Sequence, residues 1–116
     1  VIILESIEKA RLIVKAAQDK KAIEPLILEI KGLTVIADYF VICSGDSRTQ
    51  VGAIADNIRE EMKKSGERPR SVEGEAHNNW VLIDYGDVIA HVFENETRDY
   101  YELEKLWLDA PHIPVE

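Results

Sequence analysis

The stretch that decides the fold is WVLIDYGDVIAHVF, Trp80–Phe93. It reads as two short strands joined by a tight turn at Gly86-Asp87. A two-residue turn fixes the pairing, so that Tyr85 faces Val88, Ile83 faces Ala90 and Val81 faces Val92. Those residues share one face, which is apolar and mostly small. Side chains alternate across a sheet, so the other face carries Trp80, Leu82 and Asp84 against Phe93, His91 and Ile89. Trp, Phe, His and Asp together suit a contact surface better than a buried core.

Upstream, DYFVICSG (Asp38–Gly45) is a second strand. It is largely apolar and therefore central in its sheet. Ser47-Arg-Thr-Gln50 matches a capping box in which Gln50 reaches back to the Ser47 backbone N–H. Val51, Ile54, Ala55, Ile58 and Met62 follow at helical spacing until Ser65-Gly66. Earlier still, Ile7, Ala10, Ile13/Val14 and Ala17 mark an amphipathic helix from Ser6, at the N-cap, to about Ala22. Pro25 ends that helical reading, and LILEI (Leu26–Ile30) is a short strand closed by Lys31-Gly32. Pro69 to Glu75 reads as a polar, peripheral strand.

Downstream of the hairpin, Asn95 caps a last helix from about Glu96 to Leu108. Tyr100, Leu103, Leu106 and Trp107 fall at core-like spacing, with Glu102, Glu104 and Asp109 on the solvated side. Arg98 is badly placed for the helix macrodipole and pairs with Glu94 or Asp99. Asp109-Ala-Pro111 ends the helix, and HIPVE is a loose tail.

The order α-β-β-α-β-β-β-α predicts an α/β domain with a mixed sheet of about five strands and three helices largely on one side. The helices cover the Val81/Ile83/Val88/Ala90/Val92 face. With no helix to spare, the Trp80/Phe93 face is left uncovered in the monomer. The rival reading is that a fourth helix or the tail covers it. No repeat, low-complexity segment or linker divides residues 1–116, which read as one domain.

With 116 residues and 46% apolar composition, the chain can bury a single sizeable core. No apolar run approaches the roughly 20 residues of a membrane helix. VIILES is too short for a secretory leader, and no Arg-rich leader is present. One cysteine, Cys43, allows no internal disulfide and no Cys-based metal cluster, and the expected compartment is the reducing cytoplasm. The net charge of −8 is unevenly placed. Residues 1–72 hold 12 Lys+Arg and 11 Asp+Glu; residues 73–116 hold 2 and 11. That acidic half repels phosphate, so no direct nucleic-acid specificity is expected of it; a basic protein partner suits it.

Gly45-Asp46-Ser47, at a strand-to-helix transition, invites comparison with phosphate sites at helix N-termini. It lacks the P-loop Lys and the glycine spacing of a dinucleotide site, so capping and turn formation explain it more simply. A metal-dependent nucleotidyl transferase needs clustered acids on the following strand. Here the nearest, Asp84 and Asp87, flank the hairpin turn instead. Asp84, Asp87, His77 and His91 do not form a converging metal or acid–base set, because only Asp84 and His91 share a face. Cys43, inside a strand, reads as an inert small hydrophobe. Neither a catalytic group nor a cofactor site is expected. Trp80 and Phe93, directly opposed, are the natural anchors of a protein contact.

These residues carry a family resemblance. DYFVICSG-x-S-x-x-Q, then AIAD, EGE, WVLIDYGDVIAHVF and R-x-x-Y-x-L-E-K-L-W-x-D-A fall at Asp38–Gly45, Ser47, Gln50, Ala53–Asp56, Glu73–Glu75, Trp80–Phe93 and Arg98–Ala110. In this order they resemble the ribosomal silencing factor (RsfS) family, related to plant iojap and a mitochondrial assembly factor. The resemblance implies a non-catalytic translation regulator whose fold is similar to nucleotidyl transferases without their catalytic constellation. Family members bind the large ribosomal subunit through its fourteenth ribosomal protein, block joining of the small subunit and lower translation when nutrients are scarce. They are often dimeric in isolation. The family's contact face carries over to Trp80 and, beyond it, to Leu82, Asp84, His91, Phe93 and Glu94. The sequence departs from the family at Asn78-Asn79, where many members have Gly or an acid, and at Ala90, where a larger aliphatic is commoner.

Overall fold

The computed structural model describes residues 4–115. In chain order the elements are α1 (Ser6–Gln18), β1 (Ile23–Glu29), β2 (Tyr39–Gly45), α2 (Arg48–Lys64), β3 (Ser71–Glu73), β4 (Trp80–Asp84), β5 (Val88–Glu94), α3 (Asn95–Tyr101), α4 (Leu103–Leu106) and β6 (His112–Ile113). The strands form one mixed sheet in the order β3-β4-β5-β2-β1-β6. This is the expected α/β architecture, with one strand more than anticipated.

The hairpin pairs in the expected register. Trp80 opposes Phe93, Val81 opposes Val92 and Ile83 opposes Ala90. The Tyr85 N–H donates to the Val88 carbonyl at 2.9 Å across the two-residue turn. Gly86 sits at φ +92°. Such a turn requires that positive value at its first position. Asp84 Oδ1 accepts the Gly86 N–H at 2.7 Å. This Asx-type bond tightens the same turn. β5 then lies parallel to β2, with Tyr39 beside Val88 and Gly45 beside Glu94. β2 is buried along its whole length. Its apolar sequence demands as much.

One face of the sheet is closed by α1 and α2. Tyr39, Val41, Cys43, Val81, Ile83, Val88, Ala90 and Val92 meet Ala10, Ile13, Val14 and Ala17 of α1 and Val51, Ile54, Ile58 and Met62 of α2. This inner core explains Ala90: two helices press on the sheet there, and a methyl group suffices to fill the space. Ser47 caps α2 by accepting the Gln50 N–H at 3.1 Å. The return bond differs from expectation. Gln50 Oε1 takes the N–H of Asp46, not of Ser47, and its amide nitrogen bonds the Lys20 and Lys21 carbonyls. The cap therefore also ties the end of α1 to the start of α2.

α1 begins one residue earlier than expected. Glu5, not Ser6, is the N-cap, and the Glu8 carboxylate accepts the Glu5 N–H. It also ends earlier, at Gln18. The Ala22 N–H turns back to the Ala17 carbonyl. Lys21, at φ 61°, makes this a left-handed closure without glycine. β1 starts before Pro25. Pro25 lacks an N–H and Glu24 lies at φ 44°, so the register shifts between Ile23 and Leu26.

The chain after β5 departs most from expectation. The last helix breaks at Glu102, which takes the left-handed conformation (φ 47°, ψ 49°) and separates α3 from α4. Asn95 is the first helical residue, with Glu94 at the N-cap. The segment then crosses the second face of the sheet, and the start of HIPVE is not loose. His112 and Ile113 pair with Leu28 and Ile27 as an edge strand. The helices are thus divided between the two faces. α1 and α2 close one, and α3 and α4 strap the other.

Candidate functional site

The outer face bears Trp80, Leu82 and Asp84 from β4, Ile89, His91 and Phe93 from β5, Phe40 and Ile42 from β2, and Leu28 from β1. Leu103, Trp107 and Ala110 of the C-terminal segment lie on it, and with Leu28, Ile42 and Phe93 they form a second core. The expectation that this face is uncovered is therefore corrected. Phe93 is 0% exposed and His91 4%, so neither offers a surface to a partner. Leu103, Trp107 and Ala110 cover them, because breaking the helix at Glu102 lets a short fourth helix and the residues after it follow the sheet. Trp80, Leu82 and Asp84 remain half-buried at the rim, and Glu94, also half-buried, ends β5 beside Gly45, on the α2 side by alternation.

Aromatic rings dominate this layer. Trp80 stacks on Phe93 with centroids 4.8 Å apart and leans on Tyr101 at 5.0 Å. His91 meets the ring of Phe40 edge-on at 4.7 Å, and Phe40 meets Trp107 at 5.4 Å. The Trp80 indole N–H donates to His91 Nδ1 at 3.1 Å. Since Nδ1 accepts, the imidazole proton sits on Nε2. That nitrogen is buried and has no hydrogen-bond partner among the described residues. Burial pushes the His91 pKa down to about 4, so the ring is neutral at physiological pH. Trp80 is also fixed from behind. A Cβ on Gly74 would collide with the Trp80 carbonyl oxygen, and Gly74 holds φ +88°. Only glycine fits against this strand.

The acids separate by role. Asp84 spends a carboxylate oxygen on the hairpin turn, and Asp87 pairs with Lys9 at 3.1 Å, locking the turn to α1. Both lie at the opposite end of the sheet from Gly45-Asp46-Ser47, with the length of β2 between them. Asp46 itself accepts from Asn95 at 2.9 Å. The acids and the Gly45–Ser47 turn therefore do not converge. Among the described residues there is no group of three or more His, Cys, Asp or Glu arranged to hold a metal. Burial pushes the Cys43 thiol up to about 12, Arg98 opposing weakly, so the group stays a neutral thiol in the core.

Arg98, expected at the surface in a pair with Glu94 or Asp99, is buried instead, and it clasps the strap to the sheet. Its Nε donates to Glu104 at 2.6 Å and its Nη1 to Ser44 Oγ at 2.7 Å and the Ile23 carbonyl at 3.2 Å. α3 is thereby tied to α4, β2 and β1 at the carboxyl ends of the two parallel strands. The bonds also explain why Glu102 tolerates a left-handed conformation that costs a non-glycine residue about 1 kcal/mol.

The strap's outer side supplies the exposed apolar surface. Tyr100 is 81% exposed, Leu106 74% and Leu108 78%, with Tyr101 half-exposed beside Trp80. The continuous-helix reading places Tyr100 and Leu106 in the core; the break at Glu102 turns them outward. Large apolar side chains crowd YYELEKLWL more densely than one helical stripe can bury, and that excess was the available signal. Leu33, Val35 and Ile36, in the loop between β1 and β2, add apolar surface at the hairpin-turn end, where the Asp38 N–H bonds the Asp87 carbonyl. The chain from the end of β5 onward is acidic: Glu94 is followed by Glu96, Asp99, Glu102, Glu104 and Asp109, of which Glu102 and Glu104 pair with Lys105 and Arg98.

These features define a class: a mixed-sheet α/β domain with one sealed helical layer and one aromatic face strapped by its own C-terminal segment. Comparison with known proteins makes this specific. The family model described as "Ribosomal silencing factor during starvation" matches residues 3–116, and the chain belongs to this family. It is 46% identical over 109 residues to a "Ribosomal silencing factor RsfS" of Halalkalibacterium halodurans, covering 94% of this chain and 93% of that protein. A crystal structure of a Chromobacterium violaceum protein superposes with a TM-score of 0.88 at 35% identity, covering 90% of this chain and 87% of that one. A more distant relative, 28% identical over 99 residues, is the "Mitochondrial assembly of ribosomal large subunit protein 1" of Mus musculus, with 83% of this chain and 43% of that protein covered. No helix among the described residues is long and apolar enough to cross a membrane.

Proposed function

We propose that this chain is a non-catalytic, cytoplasmic repressor of translation, acting as one domain. It docks on the large ribosomal subunit through the fourteenth protein of that subunit and occupies the space that the small subunit needs. The observation that carries the reading is the exposed apolar set Tyr100, Tyr101, Leu106 and Leu108 of the C-terminal segment, with Tyr101 against the half-buried Trp80. Aromatic anchors in an acidic segment fit a basic protein partner, the charge speeding encounter and the rings supplying the buried area. Trp80 sits at the rim as the central anchor, with Leu82 flanking it. Phe93 and His91 support it from beneath. The contact needs no cofactor and no bond-making chemistry.

The test is co-sedimentation with purified large and small subunits. The folded Trp80→Ala protein is expected to lose at least tenfold in affinity for large subunits, the range of an interface hot spot. Parent-like binding would remove the assignment. The name of the mouse relative favours a second reading, in which the same surface serves large-subunit assembly. Preferential capture of assembly precursors over mature subunits would support that instead. A second copy of the chain is the competing occupant of this face. If it binds there, inhibition per molecule weakens as protein concentration rises through the dimerisation range.

A further inference from the structure

We propose that His91 is a positioning residue for docking, holding the Trp80 indole in its binding orientation from beneath the contact surface. The inference rests on the docking role given to Trp80 above. Three contacts define the indole's pose: the stack on Phe93, the lean on Tyr101, and the bond from its N–H to His91 Nδ1 at 3.1 Å. The two ring contacts are apolar and do not by themselves choose between the two flips of the indole about its Cβ–Cγ bond. The hydrogen bond does, because it fixes which edge points inward. An indole held this way turns carbon surface toward the partner, with its only donor already satisfied. Docking then requires neither desolvation of that donor nor ordering of the ring.

The chemistry of the buried imidazole supports a role beyond packing. His91 Nε2 is enclosed without a partner among the described residues. A phenyl ring of similar shape would avoid this unfavourable arrangement. Phe40 and Phe93 already surround the position with apolar ring surface. What the imidazole adds over a phenyl group is an acceptor at Nδ1, and Trp80 is the group that uses it. His91 is also the ring between the two ends of the face, touching Trp80 on one side and, through Phe40, Trp107 on the other. His91 thereby links the rim to the strap through Phe40.

His91→Phe tests this because stability and binding should move apart. The variant should be about as stable as the parent, since it removes the unpartnered Nε2 while taking the acceptor from the half-buried Trp80 N–H. Its affinity for large subunits should fall about three- to tenfold, the scale of one hydrogen bond. In the free protein the Trp80 indole N–H resonance, assigned with Trp107→Phe, should shift away from its parent position. His91→Asn returns an acceptor near the place of Nδ1 and should restore both the resonance and most of the affinity. The unsubstituted protein gives a check that needs no variant: its ¹⁵N spectrum should show Nδ1 unprotonated and Nε2 protonated. The opposite tautomer overturns the proposal. So does parent-like binding by folded His91→Phe, or a binding loss that only follows a loss of stability and is not reversed by His91→Asn. If Trp80→Ala binds normally, the docking reading itself fails and takes this role with it; the indole resonance would still shift in His91→Phe.

Discussion

The two faces of the sheet are built on different principles. The inner face meets two regular helices of 13 and 17 residues over a mostly aliphatic core, and every element there is specified by its own sequence pattern. The outer face meets a strap of two short helices, broken at Glu102 and clasped by one arginine, over a layer of rings. The comparison teaches where stability and recognition are placed. Burial on the inner side drives folding. The outer side is closed just enough to hide Phe93 and His91, while its strap carries apolar side chains outward.

Removing the clasp should break this division most strongly. Arg98→Ala leaves Glu104 and Ser44 without their partner and is expected to destabilise the protein by about 3 kcal/mol. Hydrogen exchange should show where. Protection should fall in α3, α4 and β6 and persist in α1, α2 and β2; uniform loss across both faces would mean that the strap is no separate unit.

A smaller effect sharpens the contrast through pH. His91 lies at about 4 in the fold against 6.5 for the unperturbed group, so as pH falls the unfolded chain takes up the proton first. Its contribution to stability is complete above pH 6.5 and is lost as pH falls from 6.5 to about 4. The slope there is at most about 1.4 kcal/mol per pH unit. Denaturant titrations of parent and His91→Phe over that range should differ by this slope. Parallel curves would contradict a buried neutral imidazole.

The smallest effect on stability belongs to the strap's outer side. Tyr100→Ser and Leu106→Ser should each change stability by no more than about 0.5 kcal/mol, as exposed positions do. Both should weaken large-subunit binding. A stability loss above about 1 kcal/mol would place these side chains in the core after all.

The inner face was readable from the sequence because its signals are local. The alternation in WVLIDYGDVIAHVF and its two-residue turn set the register, and Ser47 with Gln50 set the start of α2. The outer face was not readable to the same depth, because its decisive contacts are long-range. Arg98 finds Ser44 across 54 positions. β6 is only two residues long, lies between Pro111 and Pro114, and exists because β1 offers it an edge. The break at Glu102 has neither Gly nor Pro to mark it. Of the residues assigned to the contact, the alternation placed Trp80, Leu82, Asp84, His91 and Phe93 together on one face, and Glu94 on the other. Alternation says nothing about what lies above that face, so it could not separate the rim residues Trp80 and Leu82 from the covered His91 and Phe93.

The position of β5 between β2 and β4 sets a schedule for synthesis. α1, β1, β2 and α2 leave the ribosome first, and a long stretch of chain separates Gly45 from the start of β5. Until that stretch and β5 follow, one edge of β2 carries unpaired backbone groups on an apolar strand, the kind of edge that recruits foreign strands. The β4–β5 hairpin closes that gap as a self-contained unit, its register already fixed by its own turn. Residues made after it cap the far side, where His112 and Ile113 pair with β1. The nascent domain is therefore at its most aggregation-prone before β5 emerges, and the segment that ends this exposure is the hairpin that carries Trp80.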